Sequence, residues 1–360
     1  MNRQSAIGNR QFLTGFPGFI AGKLVERLVK EDVQFFLLVQ SVFLEKARKQ
    51  IEEIVSECGV AADRFQIIEG DITQPNLGMS ALDYERAREE TTSIFHLAAI
   101  YDLAVTRDVG MHVNVEGTRN VNAFAQAVEN LHRYNYISTC YVAGKRKGLI
   151  KETELEHDKG FRNYYEETKY LAEVEVEKLK NELPVTIHRP AVVVGDSKTG
   201  ETAKYDGIYY VIHYLRRMPR LLPLFNIGNK DVRLNLVPID FVCDAMVALA
   251  KDENAVGKTF HIADPSPLTT EDICNAIGQS LSGKKSIITI PAKVVNFSLM
   301  TPMSPPITGL PHAGVPYFFL QQTYDTTLSQ QFLEPHGVHC PSFTRYVDNL
   351  ISFVKEHPEI

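Results

Sequence analysis

Residues Gln11-Phe12-Leu13-Thr14-Gly15-Phe16-Pro17-Gly18-Phe19-Ile20-Ala21 read as the end of a short buried strand, a glycine turn and the start of a helix. The helical pattern continues through Lys23-Leu24-Val25-Glu26-Arg27-Leu28-Val29. Such a turn lets the backbone approach a pyrophosphate, and the helix start offers free N–H groups and a partial positive charge. The spacing is G-x-x-G-x-x-A, with Ala21 where a third glycine often sits; alanine is still small enough for close helix–strand packing. A plain tight turn has a similar composition, so the strand before and the helix after carry the weight.

Outward from this turn the pattern repeats. Val33-Gln34-Phe35-Phe36-Leu37-Leu38-Val39 is a near-continuous apolar run, as expected of a strand buried on both faces. It ends in Gln40-Ser41. An acidic residue there would bind the ribose 2′-hydroxyl of NAD and repel a 2′-phosphate, so Gln40 leans the cofactor toward NADP, with NAD not excluded. Lys46 and Arg48 on the next helix could reach such a phosphate or be plain surface charges. A helix from Val42 to Cys58 leads to a third strand, Phe65-Gln66-Ile67-Ile68, which ends in Gly70-Asp71-Ile72. A carboxylate and an apolar side chain there suit an adenine edge and face, or Asp71 caps the following turn.

A fourth strand, Ser93-Ile94-Phe95-His96-Leu97-Ala98-Ala99, ends in small residues that leave room for a flat ligand, and His96 within it reads as structural. Asn114 opens a helix-like run. The fifth strand, Tyr134-Asn135-Tyr136-Ile137, ends in Ser138-Thr139-Cys140. Strand alternating with helix predicts an α/β, Rossmann-type, doubly wound parallel sheet whose ligands lie beyond the carboxyl ends of the strands.

The stretch Asn163-Tyr164-Tyr165-Glu166-Glu167-Thr168-Lys169-Tyr170-Leu171-Ala172-Glu173 reads as the start of a long helix. Positions i and i+4 share a face, so Tyr165 and Lys169 stand side by side. A fixed cation beside a phenol favours phenolate and lowers its pKa, which would make Tyr165 a usable proton donor and acceptor.

Composition bounds the alternatives. The 360 residues are 44% hydrophobic and 23% charged, enough for two globular domains. A formal net charge of -6 speaks against a nucleic-acid surface. The cysteines, Cys58, Cys140, Cys243, Cys274 and Cys340, are scattered and read as reduced thiols. No signal-like start, no membrane-length apolar run and no metal-ligand spacing is visible, so a soluble cytoplasmic protein without a metal is expected.

Taken in order, these segments resemble the extended short-chain dehydrogenase/reductases. They are most similar to the thioester-reductase or fatty-acyl-CoA-reductase (male-sterility-type) branch. The likeness rests on Thr14–Phe19, Gly70-Asp71-Ile72, His96–Ala99, Asn114–Thr118, Ile137–Thr139 and Tyr165–Lys169. It continues in His188-Arg189-Pro190-Ala191-Val192-Val193-Val194-Gly195-Asp196, in Asp206-Gly207 and in Asn235–Val242. Departures are Ala21, Gln40 where Arg is frequent, and Cys140 after the threonine.

The resemblance implies a hydride transfer at a Thr-Tyr-Lys site. Tyr165 would be the acid or base at the substrate oxygen, Lys169 would hold the nicotinamide ribose, and Thr139 would bond the reacting carbonyl, with Ser138 its substitute one position away. Thr14, Gly15, Phe16, Gly18, Phe19 and Ile20 would lie along the pyrophosphate. Asp71 and Ile72 would meet the adenine, and Ala98 and Ala99 the adenosine ribose. Pro190 and Val192 would pack near the nicotinamide, though each alone also suits strand termination and core packing. Asn114, counted with the cofactor-binding residues, would brace the helix near the site or take a secondary catalytic part.

The chain divides into an NAD(P)-binding part, 1–195 plus 231–265, and a smaller discontinuous C-terminal α/β substrate-binding part, 196–230 plus 266–360. In the latter, Val294 to Leu320 reads as a lid or tunnel wall, or as ordinary core and loop. Arg216, Arg217 and Arg220 could meet a phosphate of a carrier arm, or be a solvated cationic face.

The expected activity is reduction of a carbonyl or acyl thioester, carried on CoA or a carrier, to aldehyde or alcohol. An NAD-dependent nucleotide-sugar epimerase or dehydratase, a hydroxysteroid-type alcohol dehydrogenase and a non-catalytic NADP-sensing protein are the alternatives. The partners expected are a small-molecule or carrier-linked substrate and, on the commonest soluble assembly, a second copy in a homodimer.

Overall fold

Seven parallel strands make the central sheet of the computed structural model, which describes residues 9–217, 226–284, 286 and 288–359. They are β1 (Arg10–Thr14), β2 (Gln34–Val39), β3 (Phe65–Glu69), β4 (Ser93–His96), β5 (Arg133–Ile137), β6 (Val185–Pro190) and β7 (Thr259–Ile262). Across the sheet they run β7-β6-β5-β4-β1-β2-β3. The order reverses between β1 and β4, where open α/β sheets bind their ligands. Thr14 registers with Leu38 on one side and His96 on the other, which keeps the carboxyl ends level.

Strand periodicity builds two cores from one sheet. Phe35 and Leu37 point into one, with Leu24, Val25 and Leu28 of α1 (Phe19–Leu28) and Ile54 of α2 (Leu44–Cys58). Phe36 and Leu38 point into the other, with Ala87 of α3 (Ala81–Glu90), Phe124 of α4 (Gly117–Ala127) and Ala172 of α5 (Tyr164–Glu177). Val242 and Met246 of α6 (Ile239–Lys251) complete the first core. The doubly wound layering expected from the alternating pattern is therefore present.

A third cluster lies apart from the sheet. It joins Ile208 and Ile212 of the helix Ile208–Arg217, Ile273 and Ile277 of Thr270–Ser282, and Leu350 and Val354 of Val347–Glu356. Val194 and Leu236 enter it from a short parallel pair, Val192–Val194 with Leu236–Pro238. Leu234 and Leu236 belong to this cluster although they lie in the 231–265 stretch grouped above with the nucleotide-binding part.

The remaining expectations fall out unevenly. None of the five cysteines is joined in a disulfide. Among the described residues no helix is long and apolar enough to cross a membrane. Arg216 donates to the carbonyl of Val354 at 3.0 Å, so it ties down the last helix; the Arg217 side chain and Arg220 lie outside the described residues. Phe297, Met300 and Met303 face solvent, whereas Phe318 is buried.

One backbone position carries the β1–α1 turn. Gly15 has φ +93°, and a Cβ there would stand 2.9 Å from the Ala98 nitrogen. Gly59 also has positive φ, +65°, but a Cβ there would meet nothing within 4 Å. Urea unfolding should therefore show Gly15→Ala losing about 1–3 kcal/mol more than Gly59→Ala, since only the first adds a collision to the backbone strain. Equal losses would show that the turn yields.

Candidate active site

The end of β1 is held to β4 through Thr14. Its hydroxyl accepts from the Ala98 N–H at 3.1 Å and bonds His96 Nδ1 at 2.8 Å. His96 Nε2 meets Thr118 Oγ1 at 3.1 Å. Burial, reinforced by the charge of Lys169, takes His96 down to about 3, so the ring is neutral. It is a brace between strands and a helix, in the structural role expected of it.

Beyond Thr14 the chain turns tightly, Gly18 N–H donating to the Gly15 carbonyl at 2.8 Å. A Cβ on Gly18 would come within 2.6 Å of that oxygen. Helix α1 follows for ten residues with no side-chain cap on its N-terminus. A cradle that a Cβ would fill and uncapped N–H groups fit a dinucleotide pyrophosphate. Gly18 is exposed, and Phe19 and Ile20 are half-buried. Phe16, expected along the cofactor, instead packs its ring in the α1-side core, 3% exposed. An aromatic ring there contributes more by filling the core than by lying against a charged phosphate.

At the ends of β2 and β3, Gln40 and Asp71 are joined, Gln40 Nε2 donating to Asp71 Oδ2 at 2.8 Å. Asp71 Oδ1 accepts from Thr73 N–H and Oγ1, both at 2.8 Å. Burial raises the Asp71 pKa, but these hydrogen bonds outweigh it and leave the carboxyl below its usual value. Asp71 therefore does cap the turn, with one oxygen, and reaches Gln40 with the other. Ile72 is buried beneath α4, where a Cβ on Gly117 would lie 2.7 Å from its side chain. Ala98 is half-buried and Ala99 exposed at the end of the β4 segment.

Asn114 does not open a helix. A helical run begins at Arg107–Gly110, and Asn114 sits in a π-helical turn, Met111–Glu116, before α4. The widened turn aims its amide at two elements at once. Its Oδ1 accepts from Ile100 N–H at 2.8 Å, and its Nδ2 donates to Thr168 Oγ1 at 3.0 Å. It thus ties the loop after β4 to α5, a bracing position.

Three further residues meet where β5 ends and α5 begins. Asn163 caps α5, accepting from Glu166 N–H at 3.0 Å, which fixes the helix start beside the sheet. Thr139, Tyr165 and Lys169 are all buried, and the Thr139 hydroxyl stands close enough to the Tyr165 phenol to lower its pKa. Lys169 Nζ donates to the Ile137 carbonyl at 2.9 Å and to Tyr136 Oη at 3.2 Å.

The expected lowering of the Tyr165 pKa by Lys169 is not what the geometry produces. Burial raises the phenol well above its ordinary value; the nearby Thr139 hydroxyl lowers it and the charge of Glu166 raises it further. Burial likewise takes Lys169 down to about 8, opposed by the charge of Glu173. Removing water disfavours the charged form of both groups, and the lysine is turned toward a carbonyl and a different phenol. Tyr165 is accordingly a protonated phenol at neutral pH.

Beside these residues lies a cavity of about 380 Å³, lined among others by Tyr101, Tyr141, Val192, Asp206, Tyr317 and Phe318. Tyr101 stands edge-on to Tyr165, ring centres 5.1 Å apart. Lys204 pairs with Asp206 at 2.8 Å and lies 4.4 Å from the Tyr101 ring centre. Tyr317 donates to the buried carboxylate of Glu166 at 2.7 Å, which Arg162 also holds at 3.0 Å. Val192 is thus a wall of the cavity, whereas Pro190 is buried at the end of β6, in register with Ile262 of β7.

Sequence reasoning did not single out Tyr101, Tyr141, Tyr317 or Glu166. Tyr101 was within reach, two positions past Ala99 at the same strand end. Tyr317 had no local signal; it comes from the Pro-rich segment, of which Leu310 to Phe318 supply cavity wall while Met300 and Met303 do not.

Comparison with known proteins agrees with the fold. The family described as male sterility protein matches residues 13–246. A fatty acyl-CoA reductase of Drosophila melanogaster, wat, is 27% identical over 278 residues, 67% of this chain and 54% of its own length. A linear gramicidin synthase of Brevibacillus parabrevis is 26% identical over 74% of this chain but only 5% of its own length. The chain thus spans about half, or far less, of these relatives. Among solved structures, the terminal R domain from the myxalamid PKS-NRPS pathway superposes with a TM-score of 0.82 at 25% identity, covering 98% of this chain and 92% of that one. The chain belongs to the male sterility protein family, the NAD(P)-binding branch of the extended short-chain dehydrogenase/reductases to which its motifs pointed.

Proposed function

We propose that this protein reduces an acyl thioester, held on CoA or on a carrier, to an aldehyde or onward to an alcohol, with NADPH as reductant. The observation that carries this is the buried Thr139–Tyr165 pair standing beside a cavity walled by aromatic, aliphatic and a few charged side chains, in a chain whose relatives include a fatty acyl-CoA reductase. When bound, the dinucleotide supplies a hydride. The turn at Gly15 and Gly18 and the start of α1 would hold its pyrophosphate, Gln40 with Asp71 its adenosine end, and Lys169 its nicotinamide ribose. The lean to NADPH rests on Gln40, since no carboxylate follows β2 directly to repel a 2′-phosphate.

In this reading Thr139 and Tyr165 meet the substrate oxygen. As that oxygen takes on negative charge, the Thr139 hydroxyl and the phenol stabilise it, and the phenol gives up its proton. A thioester then loses its thiol to leave the aldehyde. Tyr101 and Phe318 keep water from the reacting carbon. The substrate's acyl part occupies the cavity, whose later-chain wall, Leu234 apart, belongs to the 196–230 and 266–360 part that we assign to substrate binding.

The direct test offers the purified protein NADPH with a panel of acyl-CoA and acyl-carrier thioesters and follows the loss of NADPH absorbance. Turnover of at least one thioester is expected. Oxidation of a secondary alcohol with no thioester reduced would rule out the thioester form. Tyr165→Phe should lower kcat by about 10²–10⁴, and Thr139→Ala by about 10²–10³. Cofactor affinity, read by NADPH fluorescence, should change little for either.

The pH dependence has a definite sign. Tyr165 is raised and stays protonated across the working range, whereas Lys169 is lowered and loses its charge as pH rises through about 8. The profile of kcat/KM should therefore fall on the alkaline side near that value. Lys169→Arg, whose guanidinium keeps its proton beyond about pH 12, should remove the fall.

A further inference from the structure

Glu173 lies one turn beyond Lys169 on α5 and is fully buried. Its Oε1 accepts from Arg189 Nε at 2.8 Å and Nη2 at 2.5 Å. Its Oε2 accepts from the hydroxyl of Ser138, the residue before Thr139. Arg189, on β6 and 1% exposed, gives its remaining nitrogen to the carbonyls of Glu152 and Glu154 at 3.3 and 3.0 Å. A buried ion pair is poor evidence of a contribution to stability, because well-packed apolar residues often serve as well. The position of this one suggests another use.

Lys169 donates to two neutral acceptors, the Ile137 carbonyl and the Tyr136 hydroxyl. The titratable groups around it are Glu173, one turn on along its own helix, Tyr136 from β5 and the neutral His96 from β4, while Tyr165 stands one turn back and its phenol is not among the lysine's partners. Glu173 is the carboxylate among them, and it is shared with Arg189 from β6.

We propose that Glu173 is the counter-ion that keeps Lys169 charged inside the sheet, that Arg189 sets how much of its field the lysine feels, and that Ser138 couples the same carboxylate to the strand end bearing Thr139. Glu173 is then a positioning residue. The inference rests on the reading of Lys169 given under Proposed function. The opposing effects of burial and of Glu173 on Lys169 agree with it.

The test is the alkaline limb of the kcat/KM profile. Glu173→Gln should move it down by about one pH unit, a roughly tenfold loss at the original limb. Arg189→Met, which leaves the carboxylate unshared, should move it up. The double variant E173Q/R189M, which leaves neither member of the Glu173–Arg189 pair as a lone charge, should again move it down and serves if either single variant fails to fold by circular dichroism. Glu173→Asp should restore the limb toward its original place. A structural role alone would lower stability and kcat in each variant without moving the limb in opposite directions. If Lys169→Arg removes the limb while E173Q/R189M leaves it unmoved, the counter-ion is overturned and the reading of Lys169 stands. If Lys169→Arg leaves the limb in place, both fall.

Discussion

Parallel pairing of β1 with β4 is the constraint on which the site depends. Strands that all point one way need crossovers on the sheet faces, and their carboxyl ends come out along one edge. Residues separated by more than a hundred positions become neighbours there without any long-range signal in the sequence. Thr14 turns this geometry into a rigid seam: one hydroxyl joins the Ala98 backbone to the His96 ring, and that ring reaches Thr118 on α4. The glycine turn then has a fixed floor, which is why a side chain at position 15 would strike the Ala98 nitrogen.

Desolvation shapes the chemistry of the same edge. Tyr165 and Lys169 are both drawn toward their neutral forms, in opposite directions on the pH scale. A phenol held protonated suits proton donation to an oxygen gaining charge. A buried lysine at risk of losing its proton needs an anion, and the fold places Glu173 one helical turn away. The carboxylates Glu152, Glu166 and Glu173 are all buried, each with hydrogen bonds from backbone or side-chain donors. Burying charge at this density is costly unless every oxygen is satisfied, and here the satisfied groups also tie strand ends to helix starts.

The cavity is assembled differently. Tyr101 comes from the loop after β4, Tyr141 follows β5, Asp206 precedes the helix Ile208–Arg217, and Tyr317 arrives from the far end of the chain. The Tyr317–Glu166 bond links this last segment to the first turn of α5, next to Tyr165. Cavity wall and Tyr165 are thus mechanically connected, so a change in the 310–318 segment is felt at the phenol.

The repeating apolar strands and amphipathic helices, together with the glycine turn, determined by themselves that a doubly wound parallel sheet would form and that Thr14, Gln40, Asp71, Ala98 and Thr139 would end its strands. Those signals are local: a period of two, a period of 3.6, and a turn only glycine permits. Tertiary structure alone decided which way Lys169 would point, that burial would raise Tyr165, and that Arg189 and Ser138 would share one carboxylate. It also decided that four tyrosines distant in sequence, Tyr101, Tyr141, Tyr210 and Tyr317, would line one cavity. A pKa depends on what surrounds a group from every side, and a cavity on which surfaces fail to meet, and neither property is carried by any single stretch of chain.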